Sequence, residues 1–496
     1  MNAVQRLGQY DESANCAPDF TLFRARQTFD ALEGWVLSDE AMLLPEHEIE
    51  AEIERRGREV YRLMLQAHLI RRGTGDMGRA IEVTAAADVC VRHKATRIDT
   101  CGVVSIFGKV KARRTAYTAP AHQTIHPLDE QMQLPQRSFS YEMQRRIVDE
   151  AVRGPFDEAI ESIQKTTGNR VPKRSAEQIA VEAAQDFDAF YDQRAAPSCE
   201  STGPILVGAI DGKGVPLVKS DPATHPARRK KGEKANKKKM ATVAAVFTKQ
   251  PHQRTPEEVV ESLFEDKHPE KSKASRPEHK RVWASLEKSK EEVIQDVAEE
   301  MVARDPDGKK THVVVTDGER ALQRMVRKIL PEVLLILDLL HVLERLWTAA
   351  HAFFGEGTDE ATAWVRDHAL MILQGKVSQV VKGMRQSATK RKLRGSQRKA
   401  VHAAADYLYR NRKHMRYHTY LAQGLPIASG SVEGACKNLI KDRMERSGMR
   451  WQIRGAEAML KLRAIKLSGD MDEYWHFHVA EDQKRLYGQT EWKVAS

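Results

Sequence analysis

The chain contains no Cys-x-x-Cys pair. Its five cysteines, Cys16, Cys90, Cys101, Cys199 and Cys436, are scattered and odd in number. That excludes a disulfide-stapled scaffold and fits a reducing cytoplasm. Long apolar runs are absent too. Residues 1–13 have no apolar signal core. The most apolar stretch, residues 333–343, is short and interrupted by Asp338 and His341, so it does not span a bilayer. No self-similar period of about 20–50 residues is visible, which excludes a solenoid or propeller.

What is present is length and unevenly placed charge. With 496 residues and 41% hydrophobic content the chain can bury at least two cores, because single cores stop growing at roughly 250–300 residues. Lys and Arg number 80 against 69 Asp and Glu, a balance of +11. Residues 228–239 form one basic run, opened by Arg228, Arg229, Lys230 and Lys231. Residues 390–416 hold a second. Such density suits a polyanion, since Lys and Arg displace counterions condensed on phosphate. A solubilising loop and a solvated helix face would have the same composition.

Residues 1–95 read as an N-terminal helical region, with Val60, Leu63, Met64, Ala67 and Ile70 at helical spacing. Residues 96–136 form a small strand-containing segment, with two strands joined at Gly108 and a loop punctuated by Pro127 and Pro135. Residues 137–200 are helical. Candidate helices cover 140–153, 156–164 and 173–190, the last with Ser175 as N-cap. Three short helices with a Gly168 turn before the third resemble a helix-turn-helix, a DNA-binding unit. An ordinary bundle corner has the same pattern.

From residue 204 the pattern alternates. Strands are expected at 204–210, 215–219, 240–247, 311–316 and 333–337, with helices at 288–303, 320–329 and 339–354. Residues 249–290 read as a charged, exposed insertion. Residues 355–426 read as an all-helical insertion, 427–470 as the last core helices and 471–496 as a tail. Three antiparallel-compatible strands followed by strand–helix–strand–helix predict an α/β ribonuclease H-like core, with its first part over 201–354.

Three of these strands run into an aspartate: Asp211, Asp317 and Asp338. Groups at strand carboxyl ends line the ligand crevice of an open α/β sheet. Hydrolysis or transfer at a phosphodiester needs an activated oxygen and a stabilised leaving oxygen. Two Mg²⁺ or Mn²⁺ ions held by carboxylates supply both. Glu433 is a further acidic residue at a later helix start. Each of these residues alone also fits a turn, an N-cap or a first-turn acid.

Taken together, the motifs resemble bacterial insertion-sequence transposases of the ISKra type, whose active-site layout is similar to that of Mutator-like transposases. The resemblance rests on Ala209-Ile-Asp211-Gly-Lys-Gly, Val315-Thr-Asp317-Gly-Glu-Arg, Leu337-Asp338-Leu-Leu-His341 and Ile427-Ala-Ser-Gly-Ser-Val-Glu433-Gly. The segment from Lys441 to Trp451 and several blocks between 106 and 191 extend it over most of residues 50–470. It implies Asp211, Asp317 and Glu433 as a catalytic, metal-binding triad, with Asp338 and His341 in support. It implies cleavage of insertion-sequence ends and strand transfer into target DNA, with double-stranded DNA as partner and a homodimer or higher oligomer holding two ends. The location implied is the bacterial cytoplasm.

Candidate DNA contacts are Lys213 beside the first aspartate, the run Arg228, Arg229, Lys230 and Lys231, and Lys437, Lys441, Arg443 and Arg450 around the glutamate. Trp451 is a candidate for stacking on a base or for the core. Some relatives carry a cysteine-pair zinc ribbon ahead of residue 100. Here Cys90, His93 and Cys101 stand at irregular spacing, so no structural zinc is expected. Two other functions share these features: a ribonuclease H-like endonuclease without strand transfer, and an inactive transposase-derived DNA-binding protein.

Overall fold

A computed structural model describes residues 18–85, 89–218, 238–264, 276–428, 430, 434, 436–488 and 491–495. The chain divides into two units, one of Met1–Phe190 with Asp472–Ser496 and one of Tyr191–Met471. No helix among the described residues is long and apolar enough to cross a membrane.

The first unit begins with helices α1 (Pro18–Val36), α2 (Asp39–Met42) and α3 (Glu46–Arg71). Arg56 of α3 lies 4.4 Å over the Trp35 ring of α1. Strands β1 (Ala80–Ala85), β2 (Val89–Ser105) and β3 (Gly108–Thr118) follow. The N-terminal region expected to be helical to residue 95 is therefore strand from Ala80. The turn at Gly108 has φ +131°, a conformation that favours glycine. The Gln66 side chain of α3 bonds both the N–H and the carbonyl of Lys111, each at 2.8 Å. Leu69 packs with Val103 and Val110 beneath it.

Helices α4 (Pro127–Gln131), α5 (Tyr141–Arg153), α6 (Phe156–Thr167), α7 (Lys173–Ala183) and α8 (Phe187–Gln193) come next. Ser140 caps α5 by accepting from the Met143 N–H. Gly168 ends α6 at φ +71°. The expected third helix is two helices, broken at residues 184–186, and its N-cap is Pro172 rather than Ser175. The expected tail contributes helix α18 (Met471–Tyr487) and strand β9 (Glu491–Val494). β9 pairs antiparallel with β1 and completes a sheet of order β3-β2-β1-β9. Asp186 ties α18 down through His478 at 2.7 Å and Arg485 at 2.6 Å. Burial pushes the Asp186 carboxyl up, but its bonds to His478 and Arg485 outweigh it and hold it below the usual range.

The second unit is built on a five-stranded sheet of order β6-β5-β4-β7-β8. Strands β4 (Ile205–Pro216), β5 (Lys238–Lys249) and β6 (Glu278–Ser285) are antiparallel neighbours. β7 (Thr311–Thr316) and β8 (Leu334–Leu337) add to β4 in parallel. Between them run α9 (Pro256–Phe264), α10 (Lys290–Arg304) and α11 (Arg320–Ile329). Two expectations are corrected here. The two strands expected at 204–210 and 215–219 are one continuous strand ending at Pro216. The charged stretch read as an exposed insertion holds α9 and the edge strand β6.

Both edges of this sheet are covered, as edge strands require. Helix α12 (Leu339–Phe353) leads into α13 (Asp359–Leu373), α14 (Val377–Lys390), α15 (Gly395–Asn411) and α16 (Tyr417–Ala422). These last four form the helical block that follows β8 and α12. The Tyr417 hydroxyl donates to the Leu337 carbonyl at 2.7 Å, and His414 Nδ1 lies 3.1 Å from the Leu335 carbonyl. The other His414 nitrogen lies 3.1 Å from an Arg327 donor, so the ring is neutral with its proton on Nδ1. Burial and then Arg327 hold its pKa down accordingly. At the β6 edge, α17 (Ile453–Ser468) supplies Glu457, which accepts from the Ser285 hydroxyl at 2.6 Å and the Leu286 N–H at 2.7 Å.

Asp305, at the end of α10, secures the entry to β7. It accepts from the N–H groups of Lys309 and Lys310 at 2.9 and 2.8 Å and bonds His312 at 2.8 Å. Burial opposes its charge, yet these donors outweigh burial and bring its pKa to about 2 from 3.8. A depressed acid contributes stability above its unfolded pKa and loses it as pH falls through the folded one. Asp305→Asn is expected to cost about 2 kcal/mol at neutral pH. The difference in melting temperature from wild type should shrink between pH 4 and pH 2. A difference of equal size at pH 7 and pH 3 would rule out the carboxylate as its source.

Candidate active site

β4 is central, so Ile205 to Ile210 are buried on both faces. Its pairing with β7 ends at Ile210 and Thr316, while its pairing with β5 continues to Pro216. Asp211 is the first β4 residue beyond the end of β7. It is therefore within the strand and not at its end, and it is half-buried at the mouth of the parallel pair. Its carboxylate accepts from its neighbour's N–H, Gly212, at 2.7 Å and from the Cys436 thiol at 3.2 Å. Cys436 opens a short segment of wide helical turns, Cys436–Lys441, anchored by buried Leu439 and Ile440.

Asp317 directly follows β7 and lies beside Asp211, because Thr316 is in register with Ile210. It accepts from the Glu319 N–H at 2.9 Å. Burial raises the Asp317 pKa; the Glu319 N–H and His341 pull it down, and the charges of Glu319 and Asp211 add to the rise. Asp338 follows β8 and is buried. Its N–H donates to the Thr316 carbonyl at 3.0 Å, and its carboxylate caps α12 by accepting from Leu340 at 2.9 Å. His341, one turn on, lies 3.3 Å from Glu344. Three neighbouring strands thus bring Asp211, Asp317 and Asp338 to one end of the sheet.

The helical block grips this end. Gln323 of α11 donates to the Asp317 carbonyl at 3.3 Å and to Asn411 of α15 at 3.0 Å. The hydroxyl end of the Tyr407 ring lies against the Gly318 backbone. Burial first, and then the charge of Asp317, pushes the Tyr407 phenol up to about 12. Arg345 of α12 lies 4.8 Å over the Tyr407 ring. None of Gln323, Tyr407, Asn411 or Cys436 was singled out from the sequence. Each acts on a partner distant in the chain, and no local pattern marks it.

The expected DNA contacts divide. Lys437, Lys441 and Arg450 are exposed and Lys213 is half-buried. Arg443 as a phosphate contact and Trp451 as a base-stacking residue are corrected, and the core alternative for Trp451 holds: both are buried, at 0% and 8% exposure. The Arg443 guanidinium stacks 4.9 Å over the Trp451 ring, and the indole N–H donates to the Met444 carbonyl at 3.1 Å. The Trp451 backbone extends the end of β4, donating to Pro216 and accepting from Val218. A tryptophan held this way is core. Glu433 and the run Arg228, Arg229, Lys230 and Lys231 lie outside the described residues.

Carboxylate oxygens are hard donors, and Mg²⁺ is usually held by one or two of them while it keeps several waters. Asp211 and Asp317 fit that donor set, and their mutual repulsion favours a cation between them. Among the described residues no group of three or more His, Cys, Asp and Glu forms a metal cluster.

No family model matches the chain, and no curated protein matches it. Among solved structures it is similar to a Drosophila P element transposase strand transfer complex. The TM-score is 0.27 at 9% identity, over 69% of this chain and 81% of that one.

Proposed function

We propose that this chain is a DDE-type DNA transposase of the insertion-sequence kind, with a ribonuclease H-like catalytic core. The observation that carries the reading is the pair Asp211 and Asp317, side by side where the parallel strands β4 and β7 part. The strand order, three antiparallel strands and then two parallel ones, supports the core assignment. The sequence blocks around Asp211, Asp317, Asp338 and Glu433 support the family.

On this reading Asp211, Asp317 and Glu433 hold Mg²⁺ or Mn²⁺, which supplies an activated oxygen nucleophile and charge neutralisation at phosphorus. The chain's own residues do the rest. Asp338 fixes the start of α12, and His341 offsets the negative charge at Asp317. Lys213, Lys437, Lys441 and Arg450 contact phosphates. Helices α5 to α7 bind the element's terminal repeats, and a dimer or larger assembly holds two ends. In the first step water adds to phosphorus and the 3′ oxygen leaves as a hydroxyl. In the second that hydroxyl adds to a target phosphorus and displaces the next 3′ oxygen.

The test is incubation of the full chain with DNA carrying the element's own ends, plus target DNA and Mg²⁺. Transposase function requires nicked ends and joined products, both abolished by a chelator. Nicking without joining would favour a ribonuclease H-like endonuclease. Tight binding without nicking would favour a DNA-binding protein that has lost catalysis.

A further inference from the structure

Beside Asp317 the second unit has a cleft of about 310 Å³. That is the lower end of the range for small-ligand sites, roughly 300–1,000 Å³. One wall is the turn at Gly318 and Arg320, a second is α12 with Arg345, and the third is one face of α15. Along α15 the lining residues Ala400, Ala403, Ala404 and Tyr407 fall at helical spacing, which places them on one side of the helix. Three of the four are alanines, so that face is flat and apolar.

The rim is cationic. Arg320, Arg345 and Arg410 all line the cleft. Arg320 and Arg345 make no ion pair among the described residues. Arg410 has only a 3.9 Å contact with Asp406, whose closer partner is Arg385 at 2.6 Å. Three guanidinium groups around a small apolar face suit a ligand that is anionic at one end and planar at the other. Guanidinium binds phosphate through paired N–H donors, and a flat apolar wall accepts the face of a base.

We propose that this cleft is a nucleotide subsite for the DNA strand being processed. The strand's phosphate rests on Arg320, Arg345 and Arg410, and an unpaired base lies on the alanine face of α15. The proposal rests on the DNA-processing reading and adds to it a second function for the helical block. The arginines are positioning residues: through Tyr407 and Gly318 the cleft abuts Asp317, so a nucleotide seated there sets the register of the strand across the carboxylates. The shared chemistry, a phosphorylated nucleotide, has a second source in free nucleotides.

The experiment measures equilibrium binding of the full chain in chelator, so it does not depend on cleavage. The probes are a blunt DNA duplex, the same duplex with a three-nucleotide single-stranded extension, and free thymidine monophosphate. Wild type is expected to prefer the extended duplex by about 10-fold. Arg345→Ala with Arg410→Ala should remove that preference and leave blunt-duplex affinity within about twofold. Ala403→Leu, at an exposed position that leaves every charge in place, should also remove it by filling the floor, and Arg345→Lys with Arg410→Lys should restore part of it. Equal wild-type affinity for the two duplexes would overturn the proposal, as would a preference that survives both kinds of variant. Saturable thymidine monophosphate binding that the variants abolish, without duplex preference, would overturn it in favour of a free-nucleotide site. Loss of cleavage with the preference intact would count against the catalytic reading alone.

Discussion

Replacing either Asp211 or Asp317 by asparagine should lower Mg²⁺-dependent DNA cleavage by at least about 10²-fold. That starts at the top of the roughly 10–100-fold range for losing a group that merely supports a metal ligand. Asparagine keeps the size of the side chain and can still accept from the Gly212 or Glu319 N–H, so the loss measures charge. DNA affinity should hold or rise, because each change removes a negative charge from a surface that meets phosphate. Asp338→Asn is the informative comparison. Asparagine caps helices about as well as aspartate, so α12 should keep its start. If Asp338 acts only as a cap, cleavage stays near wild type; a loss comparable to that of Asp317→Asn would place its carboxylate among the metal-binding groups. Single-turnover cleavage of a pre-bound duplex separates these outcomes from changes in binding. Full activity in Asp317→Asn would remove the pair from the mechanism.

Gly318→Ala should destabilise the second unit by about 1–3 kcal/mol, the range for forcing a group into a packed site. A Cβ on Gly318 would lie 2.3 Å from Cε2 of Tyr407 and 2.5 Å from its Cζ and hydroxyl oxygen. The ring has little room to retreat. Its hydroxyl end lies against the Gly318 backbone, Arg345 covers its face, and the Gln323–Asn411 bond holds α15 to the same turn. Relief can therefore come from movement of the turn that carries Asp317, and cleavage should fall together with stability. Calorimetric melting should show a drop of several degrees, at roughly 2–4 °C per kcal/mol. Adding Tyr407→Ala should recover part of the melting temperature. An unchanged melt in Gly318→Ala would mean that the close approach is absent in solution.

The parts of the site that could be read from the chain are those built by local pattern. Runs such as Ile205-Leu-Val-Gly-Ala-Ile and Thr311-His-Val-Val-Val-Thr are apolar because their strands are buried on both faces, and an aspartate after such a run stands out. β6 carried no such mark. Glu278-His-Lys-Arg is exposed or half-buried while Val282-Trp-Ala-Ser is buried, so one edge strand reads half as insertion and half as core. β9 is four residues long and finds its partner β1 some four hundred positions earlier. Arg443 beside Trp451 misled for a related reason. Arg443 and Arg450 look like a phosphate-binding cluster in one dimension, yet the chain turns Arg443 inward onto the indole. The grip of Tyr407 and Asn411 on the Asp317 turn is tertiary, and Gln323, six residues beyond Asp317, joins it to α15.

The pairing of β9 with β1 has a consequence for the order in which this protein matures on the ribosome. Chains emerge N-terminus first, and domains tend to fold as they appear. The first unit cannot do so, because α18 and β9 emerge after all of the second unit. The interior unit can therefore acquire its structure while the N-terminal sheet still lacks its last strand and shows an unpaired β1 edge. Deleting α18 and β9 would then injure the segment made first, some four hundred residues away in sequence.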